Sequence, residues 1–103
     1  MKILCTCSQG ENRSVTFAHI LRYVKGFDVM TLGLETNTPE TQEMMFHWAD
    51  VIIVPEDLLL VLIPDEYRSK VKLYDIGEDI YPRPFNPQLY RKVKAALDAD
   101  HVA

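Results

Sequence analysis

In the run Cys7-Ser8-Gln9-Gly10-Glu11-Asn12-Arg13-Ser14, a cysteine is followed by five residues, an arginine and a hydroxyl. These residue types in this order suit capture and transfer of a phosphoryl group. If Lys2 to Thr6 is a strand and Arg13 opens a helix, residues 7 to 13 form a short turn. Its backbone N–H groups then converge on one point with the helix N-terminus behind them, a site for an oxyanion. Cys7 on the floor of that turn is expected to favour thiolate over thiol, because such settings lower a cysteine pKa from ~8.5 into the range of about 3.5–7.5. It would then be a nucleophile at neutral pH. Arg13 can offer parallel N–H donors to the equatorial oxygens of a transferring phosphoryl group, which lysine does less well. Ser14 can donate to the sulfur and help it leave a thiophosphate intermediate. Gly10 allows the left-handed backbone that a tight nest requires. Ser8, Gln9, Glu11 and Asn12 complete the expected phosphate-binding set, with the Glu11 side chain turned to solvent because a carboxylate in the site would repel phosphate.

A cysteine ending a strand is more commonly a small buried hydrophobe, and a Cys-x5-Arg spacing alone is weak. Context favours catalysis here: an apolar strand before the loop, an amphipathic segment after it, a glycine inside and a hydroxyl beyond the arginine.

The rest of the chain alternates strands and helices. Phe17, Ile20, Leu21 and Val24 recur at helical spacing, and Gly26 offers a stop. Phe27 to Leu32 reads as a second strand. Thr38 caps and Pro39 opens a helix whose Met44, Met45 and Trp48 are expected to face inward as core. Val51 to Val54 is a continuous apolar run, as in a strand buried on both faces. Pro55 followed by Glu56 and Asp57 favours a short helix up to Pro64. Val71 to Asp75 reads as the fourth strand. Asn86 caps and Pro87 opens a closing helix with Leu89, Val93, Ala96 and Leu97 on one face, and the tail after Asp98 is expected to fray.

Strands joined by helical crossovers imply a parallel sheet covered on both faces, a three-layer α/β sandwich of four strands in the order 2-1-3-4. The loop after the first strand then lies at the carboxyl edge, beside the point where strand order reverses. The turn after the fourth strand lies at the same edge.

With Cys7 to Ser14 directly after the first strand, the chain resembles the low-molecular-weight protein tyrosine phosphatases, especially their small bacterial relatives. The resemblance continues at Phe46-His47-Trp48-Ala49-Asp50-Val51-Ile52-Ile53-Val54, like the family's helix-then-strand segment. It ends at Asp75-Ile76-Gly77-Glu78-Asp79-Ile80-Tyr81, where the family carries its acid loop. It covers nearly the whole chain, and the first motif is the specific one. There are departures. Gln9 and Gly10 stand where the family often has glycine and asparagine, Asn12 stands where many members have a second cysteine, and Asp79-Ile80-Tyr81 matches an Asp-Pro-Tyr signature loosely.

The resemblance implies a cysteine-dependent phosphomonoester hydrolase acting on phosphotyrosine through a cysteinyl-phosphate intermediate, with a phosphorylated protein or a small aryl phosphate as substrate. Displacing an alkoxide or phenolate requires a proton donor at the leaving oxygen. By resemblance that donor is Asp79, with Asp75 the alternative acid because it ends the strand, and Glu78 also in the turn. Tyr81 is expected to wall the substrate pocket and stack on an aromatic ring. Two other tasks remain open on this scaffold. One is a phosphoryl relay resembling a sugar phosphotransferase enzyme IIB, which has no need of Arg13 or a late acid. The other is a phosphate- or phosphopeptide-binding module without turnover.

The 103 residues, 48% of them hydrophobic, suit one domain spanning 1–103. No apolar run approaches the ~20 residues of a membrane span, and the start resembles neither a signal nor a transit peptide, so a cytoplasmic location is expected. The net charge of −4 and the lack of a basic stretch argue against nucleic-acid binding. Cys5 and Cys7 are too few and too close for a disulfide framework, and His19, His47 and His101 show no metal-ligand spacing. Neither metal nor cofactor is implied, and no oligomeric state is assigned. Cys5 is expected in the core, the alternative being a bond to Cys7 on oxidation.

Overall fold

A computed structural model describes residues 1–100, without the Asp100 side chain. Its strands are β1 (Lys2–Cys7), β2 (Asp28–Gly33), β3 (Val51–Val54) and β4 (Val71–Leu73). The helices are α1 (Arg13–His19), continued by a π-type turn over Ile20–Val24, α2 (Pro39–Trp48) and α3 (Pro87–Asp100), with 3-10 segments at Asp57–Leu62 and Asp65–Lys70. The four strands are parallel in the order β2-β1-β3-β4, as the crossover pattern requires.

Both edges of β1 are paired and both of its faces are covered, so Ile3 to Cys7 are all buried, and the one polar side chain among them, Thr6, donates its hydroxyl to Ile53 O at 2.8 Å. Ile3 and Cys5 join Ile53 under α1 and α3, where Phe17, Leu21, Leu89, Val93 and Leu97 pack. Leu4 points the other way, with Ile52 and Val54, against Met45 and Phe46 of α2 and Leu59, Ile63 and Tyr67 of the 3-10 segments. The alternation of strand side chains therefore makes two separate half-cores, one per layer.

Caps set the helix starts. The Thr38 hydroxyl accepts from Thr41 N–H with Pro39 at the first helical position, and Asn86 Oδ1 accepts from Gln88 and Leu89 N–H. Leu89, Val93 and Leu97 are buried and Ala96 half-buried along one stripe of α3. The fraying expected after Asp98 is not seen at residues 99 and 100, where α3 continues, and its remainder, 101–103, lies outside the described residues.

Several local expectations need correction. Val24 is exposed, because i→i+5 bonding such as Lys25 N–H to Ile20 O (3.2 Å) widens the last turn and changes its period. Met44 is exposed and Trp48 half-buried. Met45 is buried as expected, Phe46 joins it in the core, and Trp48 packs against the same cluster. β2 is shifted one residue later than expected, to Gly33. β4 stops at Leu73 rather than Asp75, although Tyr74 N–H and Ile76 N–H still donate to Val54 O and Pro55 O. Asp75 itself bends the chain by accepting from Gly77 N–H through Oδ1 (3.0 Å), a side-chain turn that competes with the ladder. Among the described residues no helix is long and apolar enough to cross a membrane.

Candidate active site

The register Cys7↔Gly33 places the end of β1 beside the end of β2, and this contact shapes the loop. Leu34 N–H donates to Cys7 O and Glu35 N–H to Ser8 O, each at 2.8 Å, while the Thr36 hydroxyl reaches Gln9 O at 3.2 Å. The segment after β2 thus takes the carbonyls of three successive loop residues. Gly10 follows with φ +76°, and a Cβ there would lie 2.8 Å from Gly33 N. Gly33 has no more room, since its own Cβ would lie 2.6 Å from the Gln9 backbone. The close approach of two backbones therefore demands glycine on both sides, and Gly10 needs it for conformation as well. Gly33 is a supporting residue that sequence reasoning missed. Its only sequence signal is a glycine ending an apolar strand.

Cys7 is fully buried and its thiol is free. Gly10 N–H donates to Sγ at 3.1 Å, and Ser14 Oγ lies 3.1 Å from the same sulfur. A backbone amide and a hydroxyl thus converge on one sulfur at the carboxyl edge of the sheet. Cys5, two residues earlier, is equally buried but sits among apolar side chains, and burial holds its thiol well above the usual range. The two cysteines occupy opposite chemical settings.

Arg13 is 1% exposed, which for a permanent cation demands partners. Its Nη1 donates to Glu56 Oε1 and to Gly77 O, both at 2.7 Å. Its Nε is buried without any hydrogen-bond partner. Because Nη1 is held at one corner, the Nε/Nη2 edge remains for a bidentate acceptor. An oxyanion bridging that edge would satisfy the orphaned donor, so the residue fits an anion site on its own geometry.

The sequence marks Glu56 only as an acid favouring a helix start. In the structure it is extended and precedes the 3-10 segment, and its side chain runs to Arg13. The available signal was positional: an acid just past the carboxyl end of a central buried strand.

The turn after β4 contributes two carboxylates with different duties. Asp75 closes the side-chain turn at Gly77, whose carbonyl in turn anchors Arg13. Asp79 is exposed, and its carboxylate faces Asn12 Nδ2 at 3.3 and 3.5 Å. Asp79 is therefore brought to the loop after β1, whereas Asp75 shapes its own turn. Glu78 is exposed, and its carbonyl accepts from Ile80 N–H. Ser8 and Gln9 keep their loop positions, and Glu11 is exposed as charge repulsion suggests. The Asn12 side chain turns away from the loop toward the later turn. Tyr81 is 6% exposed and belongs to the apolar cluster with Phe17, Leu89 and Val93, its hydroxyl buried without a hydrogen-bond partner among the described residues, while the neighbouring Ile80 stands 71% exposed.

No protein-family model and no curated protein matches the chain. Solved structures do match over nearly its whole length. Wzb of Vibrio vulnificus, in complex with benzylphosphonate, superposes with a TM-score of 0.76 at 19% identity, covering 95% of this chain and 94% of that one. The tyrosine phosphatase Wzb from Escherichia coli K30, in complex with phosphate, gives 0.76 at 16% identity over 99% and 98% of the two chains. The YwlE arginine phosphatase from Geobacillus stearothermophilus gives 0.64 at 16% identity over 97% and 93%. At these identities the likeness is one of fold, and it is the fold that the residue resemblance implied.

Proposed function

We propose that the chain is a cysteine-dependent phosphomonoester hydrolase acting on aryl phosphates, phosphotyrosine in a protein first among them. The observation that carries this reading is the buried Cys7 sulfur, met by the Gly10 amide and the Ser14 hydroxyl. It lies one loop away from a buried arginine with an unused donor.

In this mechanism Cys7 attacks phosphorus as the thiolate, in line with the ester oxygen. The S–P bond forms as the P–O bond breaks. Arg13 and the loop amides hold the equatorial oxygens, where charge collects. Asp79 gives its proton to the departing phenolate. Water then attacks the cysteinyl phosphate, Asp79 takes its proton, and the sulfur leaves as thiolate steadied by Ser14. Glu56 and the Gly77 carbonyl hold the Arg13 guanidinium in place throughout. A cytoplasmic setting suits the chemistry, since a nucleophilic thiol must stay reduced.

Arg13 speaks against a phosphoryl relay, and the placement of Asp79 speaks against a module that only binds. The test is hydrolysis of p-nitrophenyl phosphate, phosphotyrosine peptide and phosphoarginine by the wild type and Cys7→Ser. The expected result is turnover of the aryl esters that vanishes in Cys7→Ser while the thermal transition is kept. A burst of stoichiometric phosphorylation without turnover would instead establish the relay. Binding of phosphate with no covalent step would establish the module. Preference for phosphoarginine would move the substrate to the class named for one fold neighbour.

A further inference from the structure

We infer that Asn12 is a positioning residue whose side-chain amide tethers the acid turn to the phosphate-binding loop, setting where Asp79 delivers its proton. The inference rests on the hydrolase reading above and concerns a residue that motif spacing alone would class as a phosphate contact.

Asn12 occupies the N-cap of α1, where asparagine ordinarily folds its side chain back onto the helix's own N–H groups. No such bond is present. Nδ2 donates instead to Tyr81 O at 2.9 Å and to the Asp79 carboxylate at 3.3 and 3.5 Å. A carbonyl oxygen can only accept, so the Tyr81 contact fixes which end of the amide faces the turn. Asn12 has therefore given up a capping bond for contacts 67 and 69 residues away. Its own carbonyl is bound by Thr16 N–H (3.0 Å) and Thr16 Oγ1 (2.9 Å), which ties it to the first turn of α1.

Thr16 Oγ1 also accepts from Phe85 N–H at 3.3 Å. The same helix thus grips the late segment at two points, near Asp79 and at Phe85. Between them Ile80, Pro82 and Arg83 are exposed and belong to no strand or helix. Among the described residues, Asn12 is the hydrogen-bond partner recorded for the Asp79 carboxylate. An exposed carboxylate on an irregular turn occupies many positions, and proton transfer requires one of them. The amide selects it.

A group that places the acid matters in proportion to how much the leaving oxygen needs a proton. In Asn12→Ala, kcat on phenyl phosphate should fall by about 10–100-fold, with a much smaller fall on p-nitrophenyl phosphate, whose leaving group departs readily as the anion. KM should change little, since the Arg13 and loop contacts remain. In an Asp79→Asn background, Asn12→Ala should add almost nothing, because the two act as one unit. Asn12→Asp, which turns the donor into a carboxylate facing Asp79, should fall below Asn12→Ala. Hydrogen exchange supplies a readout independent of turnover: the amides of Glu78, Asp79, Ile80, Tyr81 and Arg83 should exchange faster in Asn12→Ala, while those of β1 do not. Equal losses on both esters, additivity with Asp79→Asn, or unchanged exchange in the turn would each overturn the inference. Absence of Cys7-dependent turnover in the wild type would overturn the hydrolase reading instead, and exchange at the turn would still decide the tether.

Discussion

Two loops meet at the carboxyl edge of the sheet and are held by different means. The loop after β1 is held by backbone: successive carbonyls are taken by the segment after β2, and Gly10 is pressed against Gly33. The turn after β4 is tied to the sheet by backbone only as far as Ile76, whose N–H donates to Pro55 O. It hangs from side chains of the first loop and its helix, through Asn12 to Asp79 and Tyr81, Arg13 to Gly77, and Thr16 to Phe85. On the proposed mechanism, the nucleophile is thus built into the framework, while the proton donor is attached to it. A phosphoryl group must be gripped in one geometry, whereas a proton must be given and taken back on a group that changes between steps. A rigid floor with a tethered acid meets both demands.

The largest expected effect comes from removing the Arg13–Glu56 ion pair, which joins the first loop to the end of β3. Glu56→Ala leaves the Arg13 cation buried and short of a partner, and loss of one member of a buried pair costs about 3–5 kcal/mol. Urea denaturation should show this. Glu56→Gln, which keeps an acceptor, should lose less. An unchanged midpoint for Glu56→Ala would mean that Arg13 finds another counter-charge.

Asp79→Asn follows, with a fall of about 10²-fold or more in kcat on phenyl phosphate, in the range of general acid catalysis. Asp75→Asn keeps the Oδ1 that accepts from Gly77 and should retain most of the rate. If the two variants exchanged effects, the acid would be Asp75 and the turn would be differently organised from its hydrogen bonds.

Next, the glycines contrast the two loops directly. Gly10 and Gly77 both have positive φ, +76° and +83°, but a Cβ on Gly77 meets nothing within 4 Å while one on Gly10 meets the Gly33 backbone. Gly77→Ala should cost only the conformational term, about 1–2 kcal/mol. Gly10→Ala should cost more in thermal stability and abolish the Gly10 N–H contact to sulfur. Equal costs would mean the floor is as pliable as the turn.

The smallest effect is an absence. Burial keeps the Cys5 thiol protonated far into the alkaline range. Iodoacetamide at neutral pH should therefore label Cys7 and not Cys5, and inorganic phosphate should protect Cys7. Labelling of Cys5 at a similar rate would show that the β1 layer opens easily.

Much of this architecture was legible in residue order because the controlling interactions are local or periodic. The capping pairs Thr38-Pro39 and Asn86-Pro87 marked helix starts through bonds made within a few residues. The apolar runs at β1 and β3 marked buried central strands. With helices between them, parallel pairing and the 2-1-3-4 order followed from the handedness and shortness of crossovers. Where a local competitor intervened, the reading slipped. The π-type turn moved Val24 outward, and the Asp75 side-chain turn shortened β4.

The spacing from Cys7 to Arg13 determined by itself that a thiol and a guanidinium would share one loop between a strand and a helix, since the chain there is too short to separate them. Only the tertiary structure decided what surrounds that loop. Glu56, Gly33 and Asp79 lie 43, 20 and 66 residues from Arg13 in sequence, and no periodicity links them. They meet because β1 lies between β2 and β3, with β4 beside β3, so that the connections after all four parallel strands emerge at one edge of the sheet. The identity of a contact depends on which side chains that convergence brings within hydrogen-bond reach, a property of the packed sheet rather than of any single segment.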